Sequence, residues 1–138
     1  MGSQPCVVVR PQDRTRTATA VDYFVGVCAE TAGSRALCLQ LAEFPPGTRA
    51  RAHLHDEHES AAYVLRGEVE MWWGEGLREH VVIRAGEFCF IPAGVPHLPL
   101  NNGSETAVAV LARSDPNLDE SVVLLPELDS LPHLGRKD

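Results

Sequence analysis

The chain has 138 residues, of which 44% are hydrophobic, and carries a formal net charge of −7. This length fits one domain, which we place at residues 1–138, and the acidic balance argues against nucleic-acid binding. No apolar run reaches the ~18 residues of a membrane span, and the N-terminus has no signal-peptide pattern. Four scattered cysteines without a Cys-x-x-Cys pair indicate reduced thiols, so we expect a cytoplasmic protein.

Short apolar runs, rich in β-branched and aromatic residues, follow one another along the chain and predict strands. Turn sequences such as "FPPGT", "WGEG" and "NNGS" separate them, at the spacing of roughly 8–12 residues that is typical of all-β folds. Asp13–Ala20 and Pro126–Pro132 could each hold a short helix. The predicted strands are Cys6–Arg10, Tyr23–Cys28, Ala36–Phe44, Ala61–Leu65, Glu68–Trp73, His80–Ile83, Glu87–Ile91, His97–Leu100, Ala107–Arg113 and Ser121–Leu125.

The stretch "HLHDEHE" concentrates histidines and carboxylates within seven residues. His53 and His55 are two residues apart, so on a strand both rings would leave the same face, with Cβ atoms about 7 Å apart. That separation suits two ligands that converge on one ion. Glu59 follows four residues after His55, and we expect the residues between them to form a polar turn.

A second stretch, "GEFCFIPAGVPHLPLN", supplies a third candidate ligand. Its prolines and Gly94 predict a tight turn, because proline fixes φ and glycine tolerates unusual backbone angles. The turn delivers His97 to the start of the next strand. There it could face the same interior as His53 and His55.

These two stretches together resemble the motifs of the cupin superfamily. The first cupin motif is a glycine, five residues, His-x-His, three or four residues, a glutamate, six residues and a glycine; Gly47, His53, His55, Glu59 and Gly67 follow it in order. The second motif is matched position for position by Gly86, Pro92, Gly94, His97 and Asn101. The segment between them is most similar to small, single-domain bacterial cupins.

The resemblance implies a double-stranded β-helix, or jelly-roll barrel, with a motif core at about residues 36–113 and the site inside the barrel. It also implies that His53, His55, Glu59 and His97 bind a divalent transition metal, which could be iron, manganese, nickel, copper or zinc. Glu59 would in addition be the catalytic residue. The expected activity is that of a metal-dependent oxidoreductase, an oxygenase of the dioxygenase type with iron as a candidate metal, acting on a small organic molecule.

Two other functions stay open: a metal-dependent isomerase, lyase or decarboxylase of the same fold, and a non-catalytic cupin that binds a small molecule. A homodimer is also expected, because a small jelly roll often covers a sheet edge with its twin. The apolar segments "CVVVRP" and "SVVLLP" are the candidate edges. Arg49 and Arg51 could reach an anionic substrate at the mouth of the cavity or lie on the surface.

The position of Glu59 departs from the cupin pattern. Seven residues rather than six separate it from Gly67, so a count back from Gly67 arrives at Ser60. Alternation along a strand puts Glu59 and Ser60 on opposite faces. Either a bulge near Ser60 turns Glu59 inward, or Glu59 lies in the loop and the ion has three histidine ligands and water.

Overall fold

Strands dominate the fold, because the alternating apolar and polar positions bury one side of each extended segment. The computed structural model describes residues 3–10, 14–16, 19–117 and 121–134. The strands in this part of the chain are β1 (Arg14–Arg16), β2 (Asp22–Val27), β3 (Cys38–Phe44), β4 (His53–His55), β5 (Ser60–Arg66), β6 (Glu68–Trp73), β7 (Glu79–Arg84), β8 (Phe88–Ile91), β9 (His97–Leu100), β10 (Ala107–Arg113) and β11 (Val122–Leu124).

Helical structure is short and lies in the connections. Helix α1 spans Ala29–Ala32, and single 3₁₀ turns occupy Glu75–Leu77, Pro126–Leu128 and Pro132–Leu134. No helix in the described ranges is long and apolar enough to cross a membrane.

The strands form two antiparallel sheets that face each other. The six-stranded sheet has the order β1-β2-β3-β10-β5-β8, and the five-stranded sheet has the order β11-β4-β9-β6-β7. Neighbours such as β10 and β5 are distant in sequence, which is the crossing connectivity of a jelly roll. The all-β jelly-roll prediction is therefore confirmed.

The main hydrophobic core lies between the sheets. Alternate residues of β3 and β6 point inward, among them Phe44, Val69 and Met71, and they pack with Val64 of β5 and Ile83 of β7. Each such side chain contributes roughly 1.5–3 kcal/mol through burial. This core fixes the two sheets against each other and so supports the cavity between them.

A second apolar cluster covers the outer face of the five-stranded sheet. Leu98 and Leu100 of β9 pack there with Leu77 and Leu134, and the ring of Trp72 lies against them. The C-terminal 3₁₀ turns thus bury a face that would otherwise meet water. Strand β9, which carries His97, is consequently held from both sides.

Two predictions of local structure are wrong. Cys6–Arg10 is not a strand, and its Val8 is exposed, because no strand in the described ranges pairs with this segment. The short helix that Asp13–Ala20 could hold is replaced at Arg14–Arg16 by β1, which pairs with β2; residues 13, 17 and 18 lie outside the described ranges. The edge of β2 is available for pairing with Arg14–Arg16, and this pairing outweighs the weak helix propensity of the segment.

Candidate metal centre

Strand β4 carries the first two histidines of the site. It is three residues long, and His53 and His55 are buried while Leu54 between them is partly exposed. The strand is held between β11, where Val122 lies opposite His55, and β9. The alternation of a strand therefore directs both imidazoles into the interior, as the sequence predicts.

The third histidine enters from β9. His97 is the direct antiparallel partner of His53, so the two side chains leave neighbouring strands on the same face. The preceding turn is tied to the first motif, because the N–H of Gly94 donates to the carbonyl oxygen of His55 at 2.8 Å. Gly94 has φ +79°, a left-handed conformation that favours glycine at this position.

The three imidazoles form one compact cluster. Each of His53, His55 and His97 offers a ring nitrogen, and these atoms all lie within 4.8 Å of one another. The ring centroids are 4.2 Å apart for His53 and His97, 5.2 Å for His53 and His55, and 5.5 Å for His55 and His97. The cluster is positioned to bind a single metal ion.

Backbone carbonyls fix the orientation of two of the rings. Nδ1 of His53 lies 2.7 Å from the carbonyl oxygen of Arg51, and Nδ1 of His97 lies 3.0 Å from that of Val95. A carbonyl oxygen only accepts hydrogen bonds, so each Nδ1 carries the proton and donates it. The lone pair then resides on Nε2, which is the arrangement that a metal-binding histidine requires.

Burial keeps the imidazoles neutral. It is the main cause that lowers the pKa of His53 to about 4 and the pKa values of His55 and His97 to about 3. The charge of Arg113 lowers the pKa of His55 further. Neutral imidazole is the form that binds metal ions, so the site is ready to bind one at pH 7.

His55 gives a separate indication that the cluster fits an ion. Its Nδ1 is buried and has no hydrogen-bond partner among the residues that the structure describes. A buried polar atom without a partner costs free energy. A metal ion bound at this nitrogen would give it a partner and so remove that cost.

Glu59 lies outside this cluster. Its side chain is exposed, and its backbone is paired with Ser114, whose Oγ accepts from the Glu59 N–H and whose N–H donates to the Glu59 carbonyl, both at 3.1 Å. Ser60 is the buried residue at this point and lines the interior cavity. The structure therefore brings three of the four predicted ligands together and places the fourth on the outside.

A β-bulge accounts for the extra residue between Glu59 and Gly67. The pairing of β10 with β5 is regular from Ser60 to Val64, and its register shifts between Val64 and Arg66, where Leu65 has no partner on β10. The bulge is thus at the far end of β5. It accommodates the longer spacing without turning Glu59 inward.

Arg113 is a residue of the site that the motif comparison misses. It ends β10, is only 8% exposed, and lies opposite Ser60 in the sheet. The sequence holds one signal for it: Ala107, Ala109, Leu111 and Arg113 share the inward face, which places a charge on an otherwise apolar face. By contrast, Arg49 donates to the carbonyl oxygen of Asp129, and neither Arg49 nor Arg51 lines the cavity.

The histidines open into a cavity of about 70 Å³ between the sheets. A buried water needs ~10–15 Å³ of such space, so the cavity holds about five water-sized groups. Most of its described lining residues are apolar, and the polar ones include the three histidines and Arg113. Lining residues include Gln40, Ser60, Val64, Met71, Ile83, Leu111 and Arg113.

The fold and the site together define a double-sheet jelly roll with an interior three-histidine site positioned to bind a metal. A family model described as a cupin domain matches residues 40–112, and the chain belongs to that family. The comparison with curated proteins finds no match. Membership of the cupin family, expected from the two motifs, is confirmed.

Solved structures of similar fold include enzymes of oxalate metabolism. An oxalate oxidase in complex with the substrate analogue glycolate is 24% identical with a TM-score of 0.66, over 80% of this chain and 57% of its own. The Lactobacillus farciminis oxalate decarboxylase formate complex is 16% identical with a TM-score of 0.68, over 82% and 33%. A double-stranded β-helix protein from Klebsiella pneumoniae is 20% identical with a TM-score of 0.63, over 85% and 90%. The chain thus spans about half of the oxidase and a third of the decarboxylase, and these likenesses show the fold.

Proposed function

We propose that this protein is a metal-dependent cupin enzyme that acts on a small organic molecule, and that it is an oxygenase. The observation that carries the proposal is the convergence of three buried, neutral imidazoles, two of them oriented by backbone carbonyls. Residues held in this way are pre-organised for an ion rather than for packing.

The proposed ligands are His53, His55 and His97. When bound, a divalent transition ion would supply Lewis-acid or redox chemistry. Because Glu59 is exposed, three protein ligands would leave more than one coordination position for water and substrate. The ligand types do not select among iron, manganese, nickel, copper and zinc.

The remaining residues of the site bind the substrate and limit access of water. Val64, Met71 and Ile83 form an apolar floor that excludes bulk water from the reacting groups. The hydroxyl of Ser60 faces the cavity, where it can donate to or accept from a substrate oxygen. The small volume restricts the substrate to a few non-hydrogen atoms.

Metal analysis tests the proposal directly. The protein is purified without chelators, its metal content is measured by mass spectrometry, and oxygen uptake is followed with small acids, phenols and diketones. Oxalate belongs in this set because two of the structural neighbours are an oxalate oxidase and an oxalate decarboxylase. A content below ~0.1 ion per chain, with no gain after addition of iron, manganese, nickel, copper or zinc, contradicts the proposal. Turnover without oxygen uptake would instead support an isomerase, a lyase or a decarboxylase.

We also propose a homodimer that forms through β8. This strand ends the six-stranded sheet, and its Phe88 and Phe90 are 81% and 59% exposed. Exposed apolar edges favour pairing with another chain. Sedimentation should give a dimer for the wild type and a monomer for Phe88→Ser. Val123→Ser, on the edge strand β11, is the matched control and should remain dimeric; a monomeric wild type at micromolar concentration contradicts the proposal.

A further inference from the structure

We infer that the cavity binds a small aliphatic monocarboxylate, with the negative group beside Arg113 and the apolar remainder on the cavity floor. The inference deepens the proposed function, on which it rests in placing the substrate in the cavity next to the metal site. It concerns the class of substrate, and it depends on Arg113, Ser60 and the apolar wall. Neither cupin motif contains Arg113.

Arg113 is buried in the wall of the cavity. A buried arginine is rare, because removing its charge from water is costly unless partners compensate. Here Nε lies 3.7 Å from Oδ2 of Asp115, and Nη2 donates to the carbonyl oxygen of Asn117 at 3.0 Å. Asp115 is itself fully buried and accepts hydrogen bonds from Ser121 Oγ and the N–H of Asn117. These contacts hold the guanidinium in the wall of the cavity.

The described wall of the cavity carries a positive charge and no negative one. Among the described residues that line the cavity, Arg113 is the one with a permanent charge, and none is a carboxylate. Asp115, the ion-pair partner of Arg113, is not among the lining residues. Histidines bind a metal in their neutral form, so a bound divalent ion would add positive charge that no carboxylate among the described lining residues offsets. An anionic ligand fits this electrostatic field.

Ser60 lines the cavity beside Arg113. It lies directly opposite Arg113 in the pairing of β5 with β10. An aspartate or glutamate side chain at position 60 would pair with the guanidinium of Arg113 and occupy this end of the cavity. Serine carries no negative charge at this position, and its small side chain leaves room for the carboxylate of a ligand beside Arg113.

The size and polarity of the cavity limit what the rest of the substrate can be. The cavity of about 70 Å³ accepts a molecule of a few non-hydrogen atoms. Apart from the histidines and Arg113, its described wall is mostly apolar, with Val64, Met71 and Ile83 among the lining residues. A second carboxylate packed against Val64, Met71 and Ile83 would be buried beside apolar side chains, which is costly. The wall therefore favours one carboxylate on a short apolar body.

The experiment compares butyrate with butyramide, which has nearly the same shape and no charge. Affinities are measured by NMR shift titration of the metal-free protein and of the zinc-loaded protein. We expect butyrate to bind at least about tenfold more tightly than butyramide, because a charge-assisted hydrogen bond to arginine is roughly twice as strong as a neutral one. Equal binding of the two probes, or no binding of either, would overturn the inference.

Two variants assign the preference to Arg113. The double variant Arg113→Met with Asp115→Asn removes both charges, so that no buried carboxylate is left without its partner; it should lose the preference for butyrate. Ser60→Asp keeps Arg113 but places a carboxylate opposite it, and should weaken butyrate binding about tenfold or more. If both variants keep the wild-type preference, the inference is wrong; if the double variant does not fold, Ser60→Asp alone decides.

Metal content separates this inference from the proposed function. Wild-type protein that takes up no metal but still prefers butyrate, in an Arg113-dependent manner, contradicts the metal-dependent enzyme and supports the carboxylate site. Protein that binds metal but shows no preference between the two probes contradicts only the carboxylate site.

Discussion

His53 and His97 are direct antiparallel partners on β4 and β9, and their ring centroids are 4.2 Å apart. The two residues are far apart in the sequence, and each belongs to a different motif. Their pairing is stabilised because the Gly94 turn donates to the carbonyl oxygen of His55. The two motifs are therefore parts of one structural unit, and a change in either should affect the same centre.

His55→Ala should abolish metal retention. Loss of a partner outside the ligand set already costs 10–100-fold in metal affinity, so loss of one of three ligands should cost more than about 100-fold. The measurement is metal content after dialysis, with circular dichroism to establish that the variant is folded. His80→Ala is the control, since His80 lies outside the cluster, next to Trp72 and Glu70, and this variant should keep its metal.

Glu59→Gln should leave metal affinity unchanged within about threefold. The side chain is exposed and its backbone is fixed by Ser114, so the carboxylate does not face the histidines. Competition titration with a metal indicator measures the effect, with Glu57→Gln as the control for a charge change in the same turn. A loss of tenfold or more would instead support the four-ligand prediction made from the cupin motif.

The metal-free protein should lose stability as the pH falls from about 6.5 toward 4. Burial lowers the pKa of His53 to about 4 and of His55 and His97 to about 3, whereas the unfolded chain protonates near 6.5. The unfolded state therefore binds more protons in this window, about three from these residues near pH 5, and stability rises with pH.

Urea denaturation at a series of pH values measures this dependence. His55→Asn should make it shallower by about one proton, because the variant lacks one of the three depressed groups. A wild-type stability that is flat between pH 6.5 and 4.5 would contradict the assignment of buried, neutral imidazoles. The metal-free state is used throughout, so that metal release does not contribute.

Gly94→Ala should destabilise the protein by about 1–2 kcal/mol, because an L-residue pays roughly this cost in the left-handed conformation that φ +79° imposes. No atom of the described residues lies within 4 Å of a Cβ added here, so the effect should come from the backbone. Chemical denaturation measures it, and metal affinity should fall too, since the turn is bonded to His55. Ala93→Gly, in the same turn, is the control and should change stability by less than about 1 kcal/mol.

Alternation and turn residues were enough to predict most strands. Glu68–Trp73, His97–Leu100 and Ala107–Arg113 have the bounds that the sequence predicts. Gly67 and Gly74 bound the first of them, and Pro96 precedes the second, so their ends are marked by turn residues. The N-terminal errors have a different origin. Whether Cys6–Arg10 or Arg14–Arg16 becomes a strand depends on whether a neighbouring edge is available, and that is not a local property.

The spacing of the two motifs was enough to predict that His53, His55 and His97 lie together, because it puts all three on strands that can face the interior of a jelly roll. The direction of Glu59 depends on the packed sheets, because the residue count alone could not locate the bulge, which lies at Leu65 rather than near Ser60. The packed sheets also decide that Arg113 lines the cavity, because β10 is placed between β3 and β5. Spacing along one strand sets which residues share a face, but the packing of other strands decides what that face meets.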